Sequence, residues 1–202
     1  MGKVLVTIID YGMANLGSVQ KAFETVGAET LISSRPEDIR SASRLVLPGV
    51  GAFGDGMKNI RSYGIDEAIY EAIRNGSLFL GICLGLQVLF TSSEEKGTHQ
   101  GLDIFKGEVK RFTEGLVPQI GWNQIHIRRE DPLMEGIPDG SYFYFVHSYY
   151  VDPIEKSDII ATTDYSINYA SIVGRNRIWG AQFHPEKSQK MGLKILENFT
   201  KL

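Results

Sequence analysis

The chain opens on an unbroken apolar, β-branched run, Val4 to Ile9, that stops at Asp10-Tyr11-Gly12. A run without polar alternation predicts a strand buried on both faces, as in a parallel sheet. The period then lengthens: Val19, Ala22, Phe23 and Val26 recur at helical spacing and Gly27 supplies a stop. Thr30 to Ile32 predicts a second strand. Ser34-Arg35-Pro36-Glu37 then sets a cap, an early proline and a capping-box acid in register for another helix. Arg44 to Leu47 predicts a third strand, which runs into the glycine-rich loop Pro48 to Gly54. Helical spacing returns near Asp55 to Ser62 and from Ile65 to Asn75, closed by Gly76. Leu78 to Ile82 is a fourth apolar run, broken at Gly81-Ile82-Cys83-Leu84-Gly85, and Leu86 to Phe90 is expected to continue as helix.

Strand and helix thus alternate through the first half, which predicts an α/β fold with a doubly wound, mostly parallel sheet and flanking helices. Past Gly101 the texture changes to additional short strands joined by turns, typical of antiparallel pairing. These fall near Glu108 to Phe112, Asn123 to Ile127, Tyr142 to Val151, Ile159 to Thr163, Ile167 to Val173 and Ile178 to Phe183. A last helix, about Gln189 to Thr200, sets Met191, Ile195, Leu196 and Phe199 at core spacings. No repeat, linker or low-complexity tract intervenes, so residues 1–202 are expected to form a single domain whose halves share one sheet and one core.

Composition narrows the function classes. Of 202 residues, 43% are hydrophobic and 22% charged, and 21 basic against 24 acidic side chains leave a net charge of -3, so nothing basic advertises nucleic acid. The longest apolar runs fall far short of the ~18 residues of a membrane span. A single cysteine, Cys83, makes an internal disulfide impossible and points to a reducing, cytoplasmic setting. With one cysteine and scattered histidines, no metal site and no cofactor are expected.

Cys83 stands between a buried strand and a helix, with Gly81 and Gly85 two residues to either side, the cysteine form of a nucleophile elbow. The tight turn strains the backbone at the nucleophile, and side chains at the flanking positions would collide with neighbouring backbone. The helix N-terminus behind it favours negative charge on sulfur. A thiol nucleophile needs a base that later returns its proton, and histidine suits neutral pH. His99 lies in a polar loop and His126 alternates with Ile125 and Ile127, so both are expected at the surface. His184 instead ends an apolar strand, on the sheet edge where doubly wound folds assemble their sites. Glu186, two residues on, is placed to orient the imidazole.

Gly49-x-Gly51-x-x-Gly54 matches a dinucleotide fingerprint literally, yet it follows the third strand, carries Pro48, and lacks the later acid. Its amides fit an oxyanion hole better, completed by the Leu84 N–H. In Tyr142 to Tyr150, alternation assigns the odd-numbered aromatics to a core face and makes His147 to Tyr149 a substrate edge.

Pro48-Gly49-Val50-Gly51, the elbow with Gln87, and His184-Pro185-Glu186, in that order, resemble the class I (triad) glutamine amidotransferase family. Further blocks resemble the branch of that family devoted to histidine biosynthesis: Asp10 to Asn15, Gly121-Trp122-Asn123, Tyr144 to Ser148 and Phe183 to Ser188. The resemblance spans essentially the whole chain. It implies Cys83 as nucleophile, His184 as acid/base and Glu186 as its orienter, with the Val50 and Leu84 amides facing the oxyanion. Gly49, Gly51, Gln87 and backbone around His147, Ser148 and Tyr149 would grip glutamine. It also implies a heterodimer with a (βα)8-barrel cyclase of the HisF type, contacted and gated by Asn15, Trp122, Tyr144 and Lys187. Two positions depart from the family pattern: Ala14 replaces a usual glycine and Gln119 a usual histidine, both expected near the partner face. They leave open a relative that feeds ammonia to a sugar-aminating enzyme. A noncatalytic regulatory subunit is the remaining alternative.

Overall fold

The computed structural model describes residues 2–202. The first half is built as β1 (Leu5–Ile9), α1 (Leu16–Thr25), β2 (Glu29–Ser33), α2 (Pro36–Ser41), β3 (Arg44–Gly49), α3 (Phe53–Ser62), α4 (Ile65–Arg74), β4 (Leu78–Cys83) and α5 (Leu84–Gln87). The second half is strand-rich: β5 (Phe90–Ser93), β6 (His99–Gln100), β7 (Phe105–Arg111), β8 (Gln119–Gln124), β9 (His126–Ile127), β10 (Tyr142–His147), β11 (Tyr149–Pro153), β12 (Ile159–Tyr165), β13 (Ile167–Arg175) and β14 (Ile178–Ala181). Helix α6 (Gln189–Lys201) closes the chain.

Twelve strands form one sheet in the order β2-β1-β3-β4-β14-β13-β11-β7-β5-β6, with β12 and β9 continuing beside β13. Strands β2, β1, β3, β4 and β14 run parallel, and β13, β11 and β12 pair antiparallel beyond them. The mostly parallel, helix-flanked sheet with antiparallel additions is therefore as the hydrophobic pattern predicts. Both faces are covered. Val46, Leu80 and Ile82 pack towards α1 and α6, whereas their neighbours Leu45, Leu47 and Phe79 pack towards α3 and α4. This is why these strands read as unbroken apolar runs.

Three local expectations change. Helix does not continue through Leu86 to Phe90: α5 is one turn, and Phe90 begins β5, its ring stacked 5.7 Å from Phe105. A single turn aligns few peptide dipoles, so the help expected from it for a thiolate is small. The start of α2 is served by Ser33 rather than Ser34; the Ser33 hydroxyl accepts from the Arg35 amide at 3.0 Å and donates to Asp38 at 2.6 Å. The segment Tyr142 to Val151 is two strands. It leaves the small β8–β10 sheet at Ser148 and joins the large sheet as β11, so the chain changes sheets beside the candidate site.

Candidate active site

Strand β4 delivers Cys83 to the sheet edge in a strained backbone conformation, φ 54° and ψ -107°, and α5 starts at the next residue. The flanking glycines are required by contact. A Cβ on Gly81 would lie 2.5 Å from the Gly85 carbonyl oxygen, and one on Gly85 would lie 1.7 Å from that of Leu47. Strand β14 runs parallel to β4, with Ala181 opposite Ile82, so the residues following it emerge at the same edge as Cys83.

His184 follows β14 and opens a short turn, Pro185–Lys187, that brings Glu186 back to it. The imidazole Nδ1 and the Glu186 Oε1 are 2.8 Å apart, with side chains only 3% and 2% exposed. A carboxylate only accepts, so Nδ1 carries a proton and Nε2 is the atom left to work; it has no hydrogen-bond partner among the described residues. Burial acts to lower the imidazole pKa, but the adjacent Cys83 and Glu186 together outweigh it and raise it to about 10. The turn is anchored to β10: the His184 amide donates to the Tyr144 carbonyl at 2.9 Å, and the Ser188 hydroxyl accepts from the Tyr144 amide at 3.0 Å.

A cleft of about 270 Å³ opens over Cys83, lined by Val50, Gly51, Leu84, Gln87, His147, Ser148 and Tyr149, and also by Glu95, Pro118 and Val146. Gln87 is held at its floor, its amide nitrogen donating to the Tyr149 carbonyl at 2.9 Å and to Gln182 Oε1 at 3.2 Å. Gln182, wholly buried, directs its own amide nitrogen at Cys83 Sγ, 3.8 Å away. Gly49 is locked against Tyr11, whose hydroxyl lies 2.1 Å from where a Cβ would stand. A larger depression, about 560 Å³ over α3 and β6, shares Glu95 with the cleft but contains none of the three residues Cys83, His184 and Glu186.

Val50 requires a correction. Its amide donates to the Met13 carbonyl at 2.8 Å, so this N–H is spent within the neighbouring loop rather than free for an oxyanion. Gln119 requires another. Its side chain is 2% exposed and accepts from the Tyr169 hydroxyl at 3.0 Å, so it lies beneath the cleft and not on a partner face. The residues expected at the mouth are at the surface or near it: Asn15 and Lys187 are exposed, and Trp122 meets Tyr144 edge-on at 6.1 Å. His126 lies 3.7 Å from Asp164, and His99 is half-buried over Gly54. Glu95 and Gln182 were silent in the sequence. Glu95 sits in a charged turn like any other, and Gln182 is one polar residue within an apolar run.

The profile of the family described as Glutamine amidotransferase class-I matches residues 7–202. An imidazole glycerol phosphate synthase subunit HisH from Syntrophotalea carbinolica is 49% identical over 203 residues, covering 96% of this chain and 98% of that one. The protein of the same name from Bacillus subtilis is 44% identical over 205 residues, covering 98% and 96%. Among solved structures, PurLQS from Thermotoga maritima superposes with a TM-score of 0.81 at 19% identity, over 99% of each chain. A glutamine amidotransferase from Thermotoga maritima gives 0.69 at 19% identity, over 92% of this chain and 77% of that one. The two solved structures share the fold, and the profile and the curated relatives settle the lineage: this chain belongs to the class-I glutamine amidotransferase family.

Proposed function

We propose that this chain is the glutaminase subunit of a cytoplasmic imidazole glycerol phosphate synthase, acting as one domain with Cys83, His184 and Glu186 as its catalytic triad. The observation that carries the reading is the pair His184–Glu186, buried and 2.8 Å apart, with Nε2 unpaired and the ring acted on by the adjacent strained Cys83. Cys83 Sγ attacks the side-chain carbonyl carbon of glutamine, and the proton it has given up, held on His184 Nε2, is delivered to the departing nitrogen. The C–N bond breaks and ammonia leaves a glutamyl thioester. Water then adds to the thioester carbon, His184 takes its proton and returns it to sulfur, and the C–S bond breaks to give glutamate.

The Leu84 amide, the first of α5, supplies one donor for the tetrahedral oxyanion. The Val50 amide, bonded to the Met13 carbonyl at 2.8 Å, is not counted as a second. The free carboxylate oxygen of Glu95, whose other oxygen accepts from the Phe53 amide at 2.7 Å, offers the cleft an acceptor suited to the ammonium of an amino acid.

Ammonia released to water is protonated and ceases to be a nucleophile, so a glutaminase of this kind must deliver it under cover. The relatives named HisH are subunits of a synthase, which points to a HisF-type (βα)8-barrel cyclase as the acceptor. A further feature favours docking at this mouth: Ile120, paired with the cleft-lining Val146, and the neighbouring Trp122 are 64% and 46% exposed. Gln119, buried under the cleft, does not face a partner and gives no ground for preferring a sugar-aminating acceptor. The test is glutamate release from glutamine by the chain alone and with the cyclase and its ribonucleotide. Strong stimulation is expected, and Cys83→Ala abolishes it while added ammonium still supports product formation. A cyclase that neither binds nor stimulates would overturn the choice of partner.

A further inference from the structure

Three buried side chains below the cleft are not used by the mechanism above. The Gln119 amide, the Tyr169 hydroxyl and the His147 imidazole follow one another at 3.0 Å and 3.2 Å, and the far nitrogen of His147 lies 2.8 Å from the Tyr149 carbonyl. All three are at most 6% exposed, so solvent cannot repair a mismatch and the order of protons along the chain has to close.

That order follows from the one group whose role is fixed. A carbonyl oxygen only accepts, so His147 Nδ1 bears a hydrogen and donates to Tyr149. Burial, with the neighbouring His184 acting in the same direction and outweighing the bond to Tyr149, lowers the His147 pKa to about 4, so the ring is neutral near pH 7. Nε2 is then a bare lone pair, and among the described residues the one donor in reach is the Tyr169 hydroxyl. A hydroxyl has one proton. Once it serves Nε2, the tyrosine oxygen is an acceptor towards Gln119, which must present its amide nitrogen there. The structure sets Gln119 Oε1 on the hydroxyl instead, which leaves Nε2 facing an oxygen lone pair. Half a turn of the amide exchanges two nearly isosteric atoms and closes the chain.

The terminus of this chain is a binding element. The Tyr149 carbonyl accepts from His147 and, at 2.9 Å, from Gln87. We propose that Gln119 and Tyr169 are positioning residues: they fix His147 as its Nδ1–H tautomer, and so hold the Tyr149 carbonyl and Gln87 where glutamine is gripped. The inference rests on the reading of the cleft as the glutamine site. It also means that the His147 lone pair is engaged and does not compete with His184 for the Cys83 proton.

Two measurements on the full chain separate the parts. Nitrogen NMR of histidine-labelled protein should find His147 protonated at Nδ1, with an Nε2 resonance that moves towards that of an unbonded lone pair in Tyr169→Phe. An Nε2–H tautomer in the unaltered protein overturns the proton order, whatever the substrate. Inactivation by a chloroketone analogue of glutamine gives KI and kinact. Gln119→Met, which cannot donate, should raise KI about five- to ten-fold with kinact within about two-fold, and Gln119→His, whose ring N–H can donate, should restore it. Unchanged KI in both Gln119→Met and Tyr169→Phe overturns the positioning role. Failure of the analogue to label even the unaltered protein would overturn the cleft reading and the coupling to glutamine with it, while the tautomer measurement still judges the hydrogen-bond chain.

Discussion

Cys83 holds a backbone conformation that L-residues avoid, φ 54° and ψ -107°, and the surrounding packing keeps it there. The demand was legible in the sequence because it is steric: only glycine fits at 81 and 85. Gly85→Ala places a methyl 1.7 Å from the Leu47 carbonyl oxygen, in rigid backbone between β3 and α5. The expected loss is about 3 kcal/mol or more, read as a fall in the urea midpoint, and glutaminase activity should fall with it. Near-unaltered stability would contradict the contact. Hydrogen-bond direction is less legible, since nothing in Pro48-Gly49-Val50-Gly51 reveals that the Val50 amide bonds to Met13.

The two buried histidines also give stability an expected pH profile. His184 is raised from 6.5 to about 10, so the folded state keeps a proton the unfolded chain has lost; this stabilisation is full below about pH 6.5 and disappears as pH rises towards 10. His147 is lowered from 6.5 to about 4, so its contribution is present above about pH 6.5 and lost as pH falls towards 4. The joint contribution of these two histidines is therefore greatest near pH 6.5. Urea midpoints across this range should show His147→Gln losing less than the unaltered protein between pH 6.5 and 4. Equal losses would remove His147 as the cause.

At the scale of elements, period and breakers located most of the first half, while polar strands and exact caps escaped. Thr91, Ser92 and Ser93 carry no strand signal; β5 exists because Phe90 packs on Phe105 and the β7 edge supplies hydrogen bonds. The start of α2 shows the same limit. Ser34 has the right spacing to Glu37, yet Ser33, the last residue of β2, reaches both the Arg35 amide and Asp38. Ser33→Ala should therefore cost about 1 kcal/mol and Ser34→Ala close to nothing, measured as paired shifts in the urea midpoint. The reverse ranking would return the cap to Ser34.

At the scale of the molecule, the two sheets divide the labour. The large sheet brings Cys83 and His184 to one edge through the parallel pair β4 and β14, and this was readable because parallel strands end together. The small sheet was hidden inside a single aromatic stretch. In it β10 lays Tyr144 opposite Trp122 and Val146 opposite Ile120, while Phe143 and Phe145 point into the core, as the alternation of the sequence requires. Its outer face thereby presents Ile120, 64% exposed, and Trp122, 46% exposed, next to the cleft. Such apolar exposure costs solubility unless a partner covers it. Ile120→Asp sets a carboxylate at that face without touching the triad or the buried chain to His147. The altered protein should fold, and the glutamine analogue should label Cys83 at the unaltered rate. Binding to the cyclase should weaken by about 2 kcal/mol or more, roughly thirty-fold in Kd, and the stimulation of glutamate release should vanish at concentrations that saturate the unaltered pair. Undiminished binding would move the docking face elsewhere on the molecule and leave the small sheet as a wall of the glutamine cleft alone.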